Sequence, residues 1–134
     1  MIALLLEACP SAEASWSAHV EHWGSESRGD FNDLGVFAHH VVERFGAGAT
    51  PELGAFFQLL EAFLSSLDPQ TVGLAKYGLV ETIQTVASHQ AHGYQVLEQW
   101  CLPETVRAWS DVQAEWAGKG SLAEVVCAER KSVS

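Results

Sequence analysis

The chain has 134 residues, 48% of them apolar and 18% charged, with 17 acids against 7 bases. That length suits one domain, and folding should bury roughly two-thirds of the unfolded surface, enough for a core without disulfides or a structural metal. A formal charge of −10 argues against nucleic acid, which needs clustered Lys and Arg, and against an anionic membrane surface. No apolar run reaches the roughly 18 residues of a membrane span.

The first residues, Met1 to Glu7, read as a short amphipathic helix. They lack a basic leader, and Glu7 and Pro10 cut the apolar run short, so a signal peptide is not expected. Segment 11–24 then places Ala12, Trp16, Val20 and Trp23 on one stripe at helical period, with Ser11 as its N-cap. Gly24-Ser-Glu-Ser-Arg-Gly29 is a loop by composition.

Asp30 opens a long helix with Phe31, Leu34, Ala38, Val41, Val42 and Phe45 on one face and Asn32, His39 and Glu43 on the other. Gly46-Ala-Gly-Ala49 ends it with a left-handed turn. Thr50-Pro51 reads as the N-cap and first residue of the next helix, whose stripe runs through Leu53, Phe56, Phe57, Leu60, Phe63, Leu64 and Leu67. Asp68-Pro69 repeats the same start signal. The helix it opens is apolar on two sides, with Val72, Ala75, Leu79, Ile83 and Val86 on one and Leu74 and Tyr77 beside Glu81 on the other. Such a helix is expected at the centre of a bundle. Gly73 and Gly78 weaken its interior, which close approach of a neighbouring helix would offset.

Residues 88–93 break the pattern, and a short helix from about Tyr94 to Trp100 follows. Leu102-Pro103 opens a helix with Val106, Trp109, Val112 and Trp116 on one stripe. Gly118-Lys-Gly120 is a hinge, and Ser121-Leu-Ala-Glu124 fits a capping box for a last short helix before a frayed tail. No hairpin turn and no period-two segment occurs. The expectation is an all-α, single-domain bundle of six or seven antiparallel helices over residues 1–134, with HEAT-like stacking as a variant. Residues 1–29 hold the N-terminal helices and loop, 30–117 the core helices, and 118–134 the C-terminal helix and tail.

Reactive constellations are sparse. Cys9, Cys101 and Cys127 are odd in number with no CxxC pair, so reduced thiols and a cytoplasmic location are expected. The pairs His19/His22 and His89/His92 are spaced i, i+3, as metal-ligating histidines can be. No further ligand stands at an obvious spacing from either, and ordinary surface or half-buried histidine is the simpler reading. His39 and His40 point about 100° apart on their helix and do not chelate together. There is no nucleophile elbow and no phosphate-binding loop. Four of the five tryptophans, Trp16, Trp23, Trp109 and Trp116, lie on helical stripes, so core is their expected fate. Glu81 would need a partner if half-buried. No catalytic residue, cofactor or metal is assigned.

The acidic excess carries more information. Residues 1–70 contain ten acids and only Arg28 and Arg44 as bases. Such a surface either keeps the chain soluble or steers a basic partner into contact. Glu26, Asp30 and Asp33 beside Trp23 form the densest local cluster, placed at a loop and helix start where packing should not consume them.

The motifs Leu34-Gly-Val-Phe-Ala38, Phe57-Gln-Leu-Leu-Glu61, Gly78-Leu-Val-Glu81 and Pro103-Glu-Thr-Val-Arg-Ala-Trp109 give a layout that resembles a family of small all-helical bacterial domains of unknown function. These occur near polymorphic-toxin and contact-dependent secretion loci, where many small proteins act as immunity proteins. The resemblance implies that Gly35 and Gly78 permit close helix contact and that Glu61 and Glu81 are polar markers ending apolar stripes. It implies no catalytic residues and a binding role. The expected function is an immunity protein that occludes a cognate, basic toxin domain through Trp23, Glu26, Asp30, Asp33, His39 and Glu43. The alternatives are a helical adaptor without a toxin partner and a metal-dependent enzyme using the histidine pairs.

Overall fold

A computed structural model of the chain describes residues 1–118. The described residues form seven α-helices and no strand: α1 (Ile2–Ala8), α2 (Glu13–Trp23), α3 (Asp30–Gly46), α4 (Leu53–Leu64), α5 (Pro69–Leu74), α6 (Glu81–Ser88) and α7 (Pro103–Gly118). Short 3₁₀ turns cover Pro10–Ala12 and Gln95–Trp100. The all-α bundle expected from the periodicity is the architecture found. The capping box at Ser121 and the tail beyond it lie outside the described residues.

α5 and α6 are two ends of one continuous rod. Between them, Ala75–Val80 winds as a π-helix, and the Glu81 N–H reaches the Lys76 carbonyl five residues back. This rod is the centre of the bundle, as its two apolar sides required: α3, α4 and α7 all pack on the π segment, and α3 packs on α6 as well. Asp68 starts the rod as expected. Its carboxylate accepts the Gln70 N–H at 3.3 Å and the Thr71 hydroxyl at 2.7 Å, and Pro69 occupies the first turn. These bonds hold the Asp68 carboxyl below its ordinary titration range, the Thr71 hydroxyl foremost.

The core is Phe37, Ala38, Val41 and Val42 from α3, Phe56, Phe57 and Leu60 from α4, Leu79, Val80 and Ile83 from the rod, with Leu5, Leu97, Trp109 and Val112 closing it. Where α3 meets the rod, Gly78 does the work expected of it. A Cβ on Gly78 would lie 2.6 Å from Leu34 Cδ1 and 3.3 Å from Leu34 Cβ. Leu34 is itself buried, so the clash could not be relieved by swinging it into solvent. Gly73 and Gly35 differ: a Cβ at either meets nothing within 4 Å. The close contact implied for Gly35 by resemblance, and for Gly73 by the helix pattern, is therefore absent.

Four local readings are corrected. Ser11 does not cap α2. It sits in the 3₁₀ turn, the N-cap position is Ala12, and the Ser11 side chain is held by groups distant in sequence. Thr50-Pro51 is a turn, and α4 begins two residues later at Leu53 with Glu52 at its N-cap. Phe31, Leu67 and Val106 follow the helical stripes but are exposed, Leu67 completely, because no neighbouring element reaches over their ends of the helices. On α7 the buried face runs instead through Thr105, Ala108, Trp109 and Val112. The turn after α3 is as expected, with Gly48 in the left-handed region at φ 75°.

Polar joints fasten the outer helices. The Glu61 carboxylate on α4 takes the Glu104 N–H at 2.9 Å, the Thr105 N–H at 2.8 Å and the Thr105 hydroxyl at 2.9 Å. A helix start has N–H groups with no partner of their own, and here an acid from a neighbouring helix supplies the cap. Desolvation pushes the Glu61 carboxyl upward, but the three hydrogen bonds outweigh it and the group titrates below its ordinary value. On the far side of α7, Lys76 pairs with Glu115 at 3.3 Å and Asp111 at 3.7 Å, and the Tyr77 hydroxyl donates to Glu115 at 2.9 Å. Gln84 donates to the buried Trp109 carbonyl at 3.0 Å. Glu81, the other acid singled out, is half-buried, and its carboxylate has no hydrogen-bond partner among the described residues.

Two stability predictions follow from these contacts. Gly78→Ala should lower stability by about 1 kcal/mol, since overpacking outweighs the gain in helix propensity, whereas Gly73→Ala should raise it by up to about 1 kcal/mol; thermal melts of the pair check the contrast. Glu61→Gln should cost about 2 kcal/mol at pH 7 by weakening charge-assisted bonds. A carboxyl whose folded pKa is depressed stabilises fully above its unfolded value near 4.5 and loses that contribution as pH falls through the folded value. The wild type should therefore shed stability in that acid window, and urea titrations from pH 6 to about 3 should show the Gln variant shedding less.

Candidate functional site

A concave feature runs along the outer face of α3. One cavity, of about 580 Å³, is walled by Ser15 and His19 of α2 and by Thr82 of α6, with α3 as its floor through Asn32, Gly35, Val36, His39 and His40. Phe31 and Glu43 close its two ends. A second cavity of about 480 Å³ continues past His39 and Glu43 to Gly46, Val86 and His92. The two share His39 and Glu43, so they form one groove following α3 from its first turn to its last. From Phe31 to Gly46 the helix rises about 22 Å.

Gly35 keeps this groove deep. It stands inside α3, where glycine costs about 1 kcal/mol relative to alanine, and the space its missing side chain would fill is open. No packing contact offsets that cost, so the consequence of glycine here is the depth of the floor.

The histidines distribute unevenly. His19, His39, His40 and His92 line the groove. His19 Nε2 is 3.0 Å from Asp33, and its ring leans on Trp16 and Trp23. His92 packs edge-on against Phe45, and its Nδ1–H is 2.6 Å from the Gly93 carbonyl. That bond leaves Nε2 as an acceptor, buried without a partner. Neither i, i+3 pair acts as a unit: His22 meets Trp23 edge-on, and His89 is exposed. Among the described residues no three His, Cys, Asp or Glu side chains converge in a way that could hold a metal ion.

His40, one residue from exposed His39, is buried and joins a polar cluster invisible from the sequence. Ser11 Oγ lies 2.7 Å from His40 Nε2 and 2.5 Å from Glu52 Oε2, while the Ser11 N–H reaches Glu52 Oε1 at 3.2 Å. The three residue types are those of a hydrolytic triad, but the order is wrong. The carboxylate takes the serine proton directly, so His40 Nε2 must be the donor to Ser11. A triad instead places the carboxylate on the far imidazole nitrogen and leaves Nε2 free to accept the serine proton. The cluster is a fastener joining the N-terminal turn, α3 and the start of α4. Burial, with help from Arg44, lowers the His40 pKa against the opposing pull of Glu52 and Glu43.

The two described thiols are not poised for chemistry. Cys9 is buried and free, and burial with Glu52 pushes its pKa up to about 11. Cys101 is half-buried, and burial with Glu98 and Glu61 pushes it up to about 12.

The six residues singled out from the sequence lie along this side of the molecule in unequal states. Glu26 and Asp30 are exposed, as are His39 and Glu43 within the groove, and Trp23 is half-buried. Asp33 is consumed by packing, contrary to expectation: it pairs with Arg28 Nε at 3.0 Å as well as with His19. Arg28 also lies over the Trp16 ring at 5.6 Å, and Trp16 leans on Phe37. The exposed aromatic is Phe31, 57% exposed at the groove's end, where the helical stripe had assigned it to the core.

Fold and site together define a small all-α domain built around a central rod, with a histidine-lined groove along one helix. The chain belongs to the family described as a domain of unknown function (DUF7674), whose model matches residues 2–117. No curated protein and no solved structure matches it. Among the described residues no helix is long and apolar enough to cross a membrane.

The His40 cluster has a pH signature. A histidine whose folded pKa is lowered favours the neutral form, so its contribution is complete above the unfolded value of 6.5 and is lost as pH falls below it. Melting temperatures measured between pH 7.5 and 5 should fall in the wild type. They should fall less in His40→Gln, which keeps a donor for Ser11 without a titrating ring.

Proposed function

We propose that this chain is a cytoplasmic immunity protein, a binding domain without catalytic activity that engages a basic toxin domain and occludes its active site. The observation that carries the reading is the one-sided charge of the α2–α3 surface. Glu13, Glu21, Glu26, Asp30 and Glu43 are exposed there. The only bases in residues 1–70 are Arg28 and Arg44; Arg28 is joined to Asp33, and Arg44 is half-buried. The net field is negative, so a basic partner would be drawn in at a rate that falls with salt. Exposed Phe31 and half-buried Trp23 supply apolar anchors within that field, and such anchors set residence time. Toxin domains that attack nucleic acid or nucleotides need basic surfaces, which this surface would complement.

Co-expression with the product of the adjacent gene tests the proposal. The expected outcome is rescue of growth arrested by that product. Charge reversal at Glu26, Asp30 and Glu43 together, all to Lys, should weaken the complex at least about tenfold at low salt and flatten its salt dependence. Asp33 is left out because reversing it would also break the Arg28 pairing. Rescue and salt slope both unchanged in the triple variant would refute the assignment of this surface.

A further inference from the structure

The groove has a shape that charge alone does not explain. Its floor is a single helix face, with Asn32, Gly35, His39, Glu43 and Gly46 following one another at three- or four-residue spacing. Over its first half α2 lines one side and α6 another, and over its second half the wall is α6 and the turn through His92. Gly35 leaves open space in the floor, and a backbone can approach another helix closely where a side chain is missing. Half-buried Val36 and Val86 add apolar surface along the groove, and Phe31 adds an aromatic ring at its mouth. Exposed carboxylates stand along it, Asp30 beside Phe31 at one end and Glu43 beside His39 where the two cavities meet.

We propose that this groove takes one basic amphipathic helix of the partner protein, laid along α3 between α2 and α6. About 22 Å of groove accommodates about 15 residues of α-helix, or four turns. The apolar stripe of such a helix would face Phe31, Val36 and Val86, with its closest approach over Gly35. Its Lys and Arg residues would reach Asp30 at one end and Glu43 where the two cavities meet. Helix-in-groove recognition of this kind reads a partner through apolar anchors at i, i+3, i+4 and i+7. The inference rests on the acidic-surface reading above and adds the secondary structure of what binds there.

Three synthetic 15-residue probes test it by fluorescence anisotropy. The first is a Leu/Lys peptide with helical periodicity, the second has the same composition in strict alternation, and the third repeats the first with Glu for Lys. The helical Leu/Lys probe should bind at least about tenfold more tightly than the alternating one. Gly35→Leu should reduce its affinity at least about tenfold by filling the floor, and Gly73→Leu, outside the groove, should leave it unchanged. Gly35→Ala guards against misfolding: its methyl meets no neighbour, so it should melt no lower than the wild type while weakening the probe partially. Equal binding of the two Leu/Lys probes, or indifference to Gly35→Leu, overturns the helix groove. If Glu26→Lys with Asp30→Lys then weakens both Leu/Lys probes alike, the acidic surface stands without the groove. Binding of the Glu probe as tight as that of the Lys probe, and equally dependent on Gly35, would instead overturn the acidic-surface reading and leave only the groove.

Discussion

The bundle depends on how closely α3 can approach the central rod, and one missing methyl group sets that distance. Gly78 faces Leu34 where any larger residue would intrude on a buried side chain. With the two helices in contact, Phe37, Val41, Leu79 and Ile83 are all buried, and α6 comes near enough to α3 to wall its outer face. A wider spacing would loosen the core and spread the groove together, because the same pair of helices bounds both. Close-packed interiors transmit such shifts rather than absorb them.

Acids do two kinds of work in this chain. Glu61, Glu52, Glu115 and Asp33 are internal fasteners, each holding a group from another element. Glu26, Asp30 and Glu43 remain at the surface. Composition treats these groups as one excess of negative charge, but only the second set contributes an outward field. The fastening acids take the place of cross-links: each caps a helix start, anchors a turn or pairs a half-buried base, so that outer helices are fixed by directional bonds rather than by apolar area alone.

Much of the architecture was legible in the sequence because local chemistry and helical period agree there. Asp68-Pro69 announces its helix, the two-sided apolar pattern of the rod marks it as central, and Gly46 to Ala49 marks a turn. Periodicity failed at helix ends. Phe31, Leu67 and Val106 fit their stripes, yet a stripe records an angle around an axis, not whether a neighbour extends far enough to cover it. The candidate surface was half legible. The charge at Glu26 and Asp30 could be counted, but the capture of Asp33 by Arg28 and His19 depends on how α2 folds back on α3. Ser11, His40 and Glu52 are 29 and 41 positions apart in their contacts, and no spacing rule joins them. Gly35 and Gly78 look alike in the sequence. Only their surroundings separate a glycine that admits a neighbour from one that leaves a hollow.

The π segment has a consequence for reading relatives of this chain. A wide turn holds one residue more than the regular spiral would, so every position after Val80 is rotated relative to where an unbroken α-helix would place it. Lys76 and Tyr77 can thus address α7 while Gly78 addresses α3, and Thr82 and Val86 still line the groove. A family member lacking that extra residue would carry a straight spiral and turn a different side of α6 toward the cleft. Alignments across this region should therefore admit a single-position gap inside a helix, where gaps are ordinarily penalised most heavily.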